Sequence, residues 1–112
     1  MGFSKHADGV VFAEDDLERA FNSLAENSPL KNSIRKAILD LKENIFCGDQ
    51  IKKEHIPKEY IKSYKINNLW WHPLSDGWRM VYSVVNPNRV EILAVIIEYF
   101  DHKNYNRKFG YD

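Results

Sequence analysis

Gly77-Trp78-Arg79-Met80-Val81-Tyr82 is the stretch on which the reading of this chain turns. Its alternation is that of a β-strand, with Trp78, Met80 and Tyr82 on one face and Arg79 with Val81 on the other. A guanidinium in a core-forming strand loses its hydration, so the position requires a partner. Two partners fit: an acid of the same chain, or an external anion such as a phosphodiester, which five fixed N–H donors suit.

Outward from this strand the pattern stays β on both sides. Ser75-Asp76-Gly77 is turn chemistry, and Trp70-Trp71-His72-Pro73-Leu74 leads into it. Upstream, Tyr64 and Ile66 alternate with Lys65 and Asn67, which predicts a strand within 60–69. Downstream, Asn86-Pro87-Asn88 is a reverse turn, and residues 89–100 form the last strand. Its apolar residues occupy both faces (Leu93, Val95, Ile97 and Ile92, Ala94, Ile96), as expected of a strand covered on both sides.

The N-terminal half is helical in period. After a polar leader over residues 1–9, Val10-Val11-Phe12 fits a short strand, and Glu14-Asp15-Asp16 sits where acids favour a helix start. Leu17, Ala20, Phe21 and Leu24 make one apolar stripe. Ser28-Pro29 then starts a second helix, whose inner face is Leu30, Ile34, Ala37, Ile38 and Leu41 and whose outer face includes Lys31, Arg35 and Lys36. The short link between them predicts an antiparallel hairpin. Residues 45–57 are irregular, with a turn at Gly48-Asp49. The polar, aromatic tail 101–112 fits a short helix or a loop over the sheet.

The chain has 112 residues and 44% hydrophobic residues, enough for one domain with its own core. Its formal net charge is zero, so no global field draws it to nucleic acid. Residues 1–50 carry six Lys+Arg against nine Asp+Glu and residues 51–112 carry ten against seven, a split of −3 and +3 that places the cationic half around the strand above. Cys47 is the only cysteine, which excludes an intrachain disulfide and a thiolate metal cluster and reads as a buried, reduced thiol. No apolar run is long enough to span a bilayer and no signal-like segment opens the sequence, so a soluble cytoplasmic protein is expected. His6, His55, His72 and His102 have no ligand spacing, so neither metal nor cofactor is expected.

A short strand, a helical hairpin and three antiparallel strands with an arginine in the second of them resemble the RelE/ParE superfamily of type II toxin-antitoxin toxins. The resemblance covers residues 10–105. Tyr64-Lys65-Ile66, the strand Gly77-Trp78-Arg79-Met80-Val81-Tyr82, and His102 with Tyr105 after the last strand carry it. It implies an α+β fold in which the helical hairpin packs on a small antiparallel sheet of three to four strands.

For function, the RelE-like branch implies metal-independent, ribosome-dependent mRNA cleavage by attack of a ribose 2′-OH on the adjacent phosphate, with mRNA, the ribosome and a cognate antitoxin as partners. Arg79 would hold the phosphate and Lys65 would add to the same field. His102 would act as acid or base, histidine being the side chain that ordinarily titrates near neutrality. Tyr105 would stack on the scissile nucleotide or share the proton transfer. Lys103, Arg107 and Tyr111 would contact RNA. Asn67 stands where a second basic residue is expected beside Lys65. A ParE-like toxin that binds DNA gyrase without catalysis, or a fold kept for protein interaction, would use the same architecture.

Overall fold

The computed structural model describes residues 4–110, and Tyr111 lies outside the described residues. The chain folds as α+β: β1 (Gly9–Phe12), α1 (Asp15–Ser23), α2 (Pro29–Glu43), β2 (Asp49–Gln50), α3 (Lys58–Tyr64), β3 (Trp70–Pro73), β4 (Arg79–Val85), β5 (Leu93–Phe100) and α4 (His102–Phe109). One five-stranded sheet has the order β1-β5-β4-β3-β2. It is therefore larger than the expected three to four strands. It is also mixed, because β1 runs parallel to β5 while the remaining pairs are antiparallel.

Two helical layers enclose this sheet. On one face Met80, Tyr82, Ala94 and Ile96 pack with Phe21 of α1 and with Ile34, Ala37 and Leu41 of α2. On the other, Val81 and Ile97 pack with Tyr60 of α3 and with Tyr105 and Phe109 of α4. The alternation of β4 and the two-faced character of β5 are thus used as the sequence requires. One irregularity breaks the pairing: Val81 faces Glu98 and Tyr82 faces Ile96, so Ile97 is an extra residue in β5.

Ser28 caps α2 by accepting from the Lys31 amide at 3.3 Å, with Pro29 in the first turn. Lys31 departs from its expected outer-face position and is buried. Its ammonium donates to the carbonyls of Asn22 and Leu24 at 3.1 and 3.0 Å and pairs with Glu26 at 2.6 Å. These carbonyls are left open where α1 ends, so a cation there closes the corner between the two helices. The leader is tied down from Lys5 onward: Ile45 donates to the Lys5 carbonyl, Ala7 to that of Lys42 and Asp8 to that of Ile92.

Several expectations are corrected. Residues 60–64, placed within a strand by the alternation around Lys65, belong instead to α3 (Lys58–Tyr64). Pro57 precedes its first turn, and Tyr60 and Tyr64 stand one turn apart with ring centroids 6.0 Å from each other. The strand before the Arg79 strand is instead 70–73. Trp78 lies just before β4, and β5 begins at Leu93 rather than at 89, because the Asn88 side chain closes the loop by accepting from the amides of Val90 and Glu91. Cys47, expected to be buried, is exposed. Gly48 leads into the short edge strand Asp49–Gln50, and His102–Phe109 of the tail form a helix, one of the two forms expected there.

Candidate functional site

Arg79 opens β4, opposite Pro73 on one side and Phe100 on the other. Asp76 and Gly77 deliver it, both with positive φ (55° and 78°), the conformation that a turn ending in Gly accommodates. The register places Trp71 diagonally across from Arg79 on the same face of the sheet, two residues before Pro73. Tyr105 approaches from α4.

The guanidinium carbon lies 4.1 Å from the Trp71 ring and 4.5 Å from the Tyr105 ring. These rings have centroids 6.4 Å apart and are tilted by 60°, so the cation sits in a V of two aromatic faces. Among the described residues no carboxylate forms an ion pair with Arg79. Stacking leaves the in-plane N–H donors of a guanidinium available. Of the two partners the sequence permits, an acid of the same chain is therefore not found among the described residues.

His102, Lys103, Tyr105 and Arg107 all come from α4, which Asp101 caps by accepting from the Asn104 amide at 2.8 Å. His102 is exposed at the first position of this helix, and a Cβ placed on Gly77 would lie 3.7 Å from its Cβ. The turn before Arg79 thus runs against the start of α4, and His102 and Arg79 share one end of the sheet. Asn106 Nδ2 donates to His102 Nε2 at 3.1 Å. That contact engages the Nε2 lone pair, so the nitrogen is open to a substrate only when the Asn106 amide is displaced.

Tyr105 is 1% exposed and stacks on Phe109 at 4.6 Å, so its ring faces Arg79 and the core rather than solvent. Lys103 and Arg107 are exposed. Arg107 lines a cavity of about 430 Å³ with Trp78, Tyr99 and Asn104 beside the same sheet end.

Lys65 is not brought to this site. It ends α3 in the left-handed conformation (φ 57°) and lines a different cavity, together with Val84 and Val85. Val85 is the far end of β4, six residues from Arg79, or roughly 20 Å at a strand rise of about 3.3 Å per residue. Trp71 is the contributor that reading the sequence missed. Its signal is the strand register, which the misplaced strand at 60–69 concealed. Among the described residues no group of three or more His, Cys, Asp or Glu side chains is placed to hold a metal ion. Likewise no helix among them is long and apolar enough to cross a membrane. Comparison with family models, curated proteins and solved structures found no match.

Proposed function

We propose that this protein is the toxin of a type II toxin-antitoxin pair and cuts ribosome-bound mRNA without a metal. The observation that carries this reading is a stacked, half-buried Arg79 with no acid partner among the described residues, at the same end of the sheet as an exposed histidine. In the reaction the ribose 2′-oxygen attacks phosphorus and the bond to the 5′-oxygen breaks, which leaves a 2′,3′-cyclic phosphate and a 5′-hydroxyl. Negative charge grows on the phosphoryl oxygens. Arg79 donates to them from a fixed position, where pre-set donors are most effective. His102 Nε2, released from the Asn106 amide as substrate binds, accepts the 2′ proton, the departing 5′-oxygen takes its proton from solvent water, and Lys103 and Arg107 hold flanking phosphates. Tyr105 acts through Arg79 by holding its plane, and the distance of Lys65 leaves it outside this phosphate's field.

The test is primer extension on translating ribosomes. Wild-type protein is expected to produce new mRNA ends, and Arg79→Ala to reduce them by about 100-fold or more, the scale for losing one charge-stabilising donor. Absence of cuts from the wild type would refute the reading. The zero net charge favours the ParE-like alternative. That alternative predicts inhibition of gyrase supercoiling that persists in His102→Ala.

A further inference from the structure

The geometry points to a nucleotide-binding site in the cavity at the other end of β4, separate from the Arg79 site and going beyond the cleavage reading. This cavity has a volume of about 520 Å³, within the range of small-ligand sites. Phe46, Ile92 and Trp70 give it apolar walls, while Gln50, Lys65 and Asn67 supply polar groups.

Three observations define what it would accept. No carboxylate side chain lines it, and Lys65 forms no ion pair among the described residues, so the site carries one uncompensated positive charge. The indole N–H of Trp70 has no acceptor among the described residues and is shielded from solvent, so an acceptor group of an occupant reaches it only if the Trp70 ring turns on binding. Lastly, the structural polar work in this region is done by a different residue. Asn68 donates to the Val84 carbonyl at 2.8 Å and accepts from the Val84 amide at 2.8 Å, extending the β3–β4 ladder with a side chain.

Gln50 thus remains to present a whole amide, and Asn67, whose Oδ1 accepts from Asn68 Nδ2 at 2.9 Å, keeps its Nδ2 donors, so that together they match the mixed hydrogen-bonding edge of a nucleobase. Flat apolar walls suit the faces of a base, and Lys65 suits its phosphate. The shared chemistry is a nucleoside monophosphate, either free or as one residue of an RNA strand.

The experiment is an NMR titration of the full chain with each of the four ribonucleoside 5′-monophosphates, the corresponding nucleosides and a tetraribonucleotide. It follows the indole N–H signal of Trp70, assigned with Trp70→Phe. At least one monophosphate is expected to shift that signal. Lys65→Gln should weaken its binding fivefold or more, and the uncharged nucleoside should bind correspondingly less tightly. Arg79→Ala should bind it unchanged, which separates this site from the cleavage site. Tighter binding of the tetranucleotide assigns the occupant to an RNA strand, and equal binding assigns it to a free nucleotide. No shift with any of the probes, or affinity equal in wild type and Lys65→Gln, would overturn the proposal.

Discussion

At Arg79 two side-chain properties act together: a delocalised planar cation and two aromatic faces that accept it without neutralising it. An acid partner would fix the arginine just as well but would occupy its donors. Stacking fixes the plane and leaves the edge open, which is what an anion-binding role requires. A lysine cannot take part in this arrangement as a plane, so Arg79→Lys is expected to cut mRNA at close to the rate of Arg79→Ala. Tyr105→Phe keeps the ring and should stay within about tenfold of wild type, below the usual range for a lost proton-transfer group. Comparing single-turnover cutting by the three variants decides the matter. If Tyr105→Phe falls as far as Arg79→Ala, the phenol takes part in the chemistry directly.

At the scale of elements, the short edge strand β2 is held by a close approach of backbone to side chain. Gly48 donates to Tyr82 Oη at 3.0 Å, and the same hydroxyl donates to the Ile45 carbonyl at 2.9 Å. Burial pushes the Tyr82 phenol well above its usual range, so it remains a donor. A Cβ on Gly48 would lie 2.5 Å from the Trp71 carbonyl oxygen and 2.8 Å from Tyr82 Oη. The glycine is needed here for space and not for an unusual φ. Gly48→Ala is expected to lower stability by about 1–3 kcal/mol, the usual scale of an overpacked site. A urea-melt midpoint equal to that of the wild type would show that the β2 loop shifts freely. The same loop forms part of the wall of the Trp70 cavity, so its displacement should also alter the Trp70 indole signal.

For the molecule as a whole, the helical layer on one face of the sheet depends on how α1 joins α2, and that corner is electrostatic. Glu26 is exposed but receives hydrogen bonds from Lys31 and Arg35, which hold its carboxyl down from 4.5 to about 2. A depressed carboxylate adds stability that is fully present above its unfolded value and is lost as pH falls through its folded value. The contribution should therefore be present above about pH 4.5 and fade toward pH 2. Thermal melts of wild type and Glu26→Gln are expected to differ at pH 6 and to converge as the pH is lowered. A gap that stays constant over that range would refute the assignment.

The sequence by itself determined the α+β class, both N-terminal helices with the Ser28-Pro29 start, the Arg79 strand and the two-faced last strand. Each of these is written in a local period or a cap. It also singled out Arg79 and His102, because a cation among apolar strand residues and a histidine just past a strand end stand out locally. The helix at 58–64 was not legible, since four alternating residues around Lys65 fit a strand as well as they fit a helix end. Only the tertiary structure decided that Trp71 and Tyr105 enclose Arg79, that Lys31 is buried and that Lys65 belongs to a separate cavity. These facts depend on strand register and on which helix covers which face, and no local pattern encodes either. Arg79 was thus visible from its own strand, whereas the aromatic faces that hold it come from positions 8 residues before and 26 residues after it.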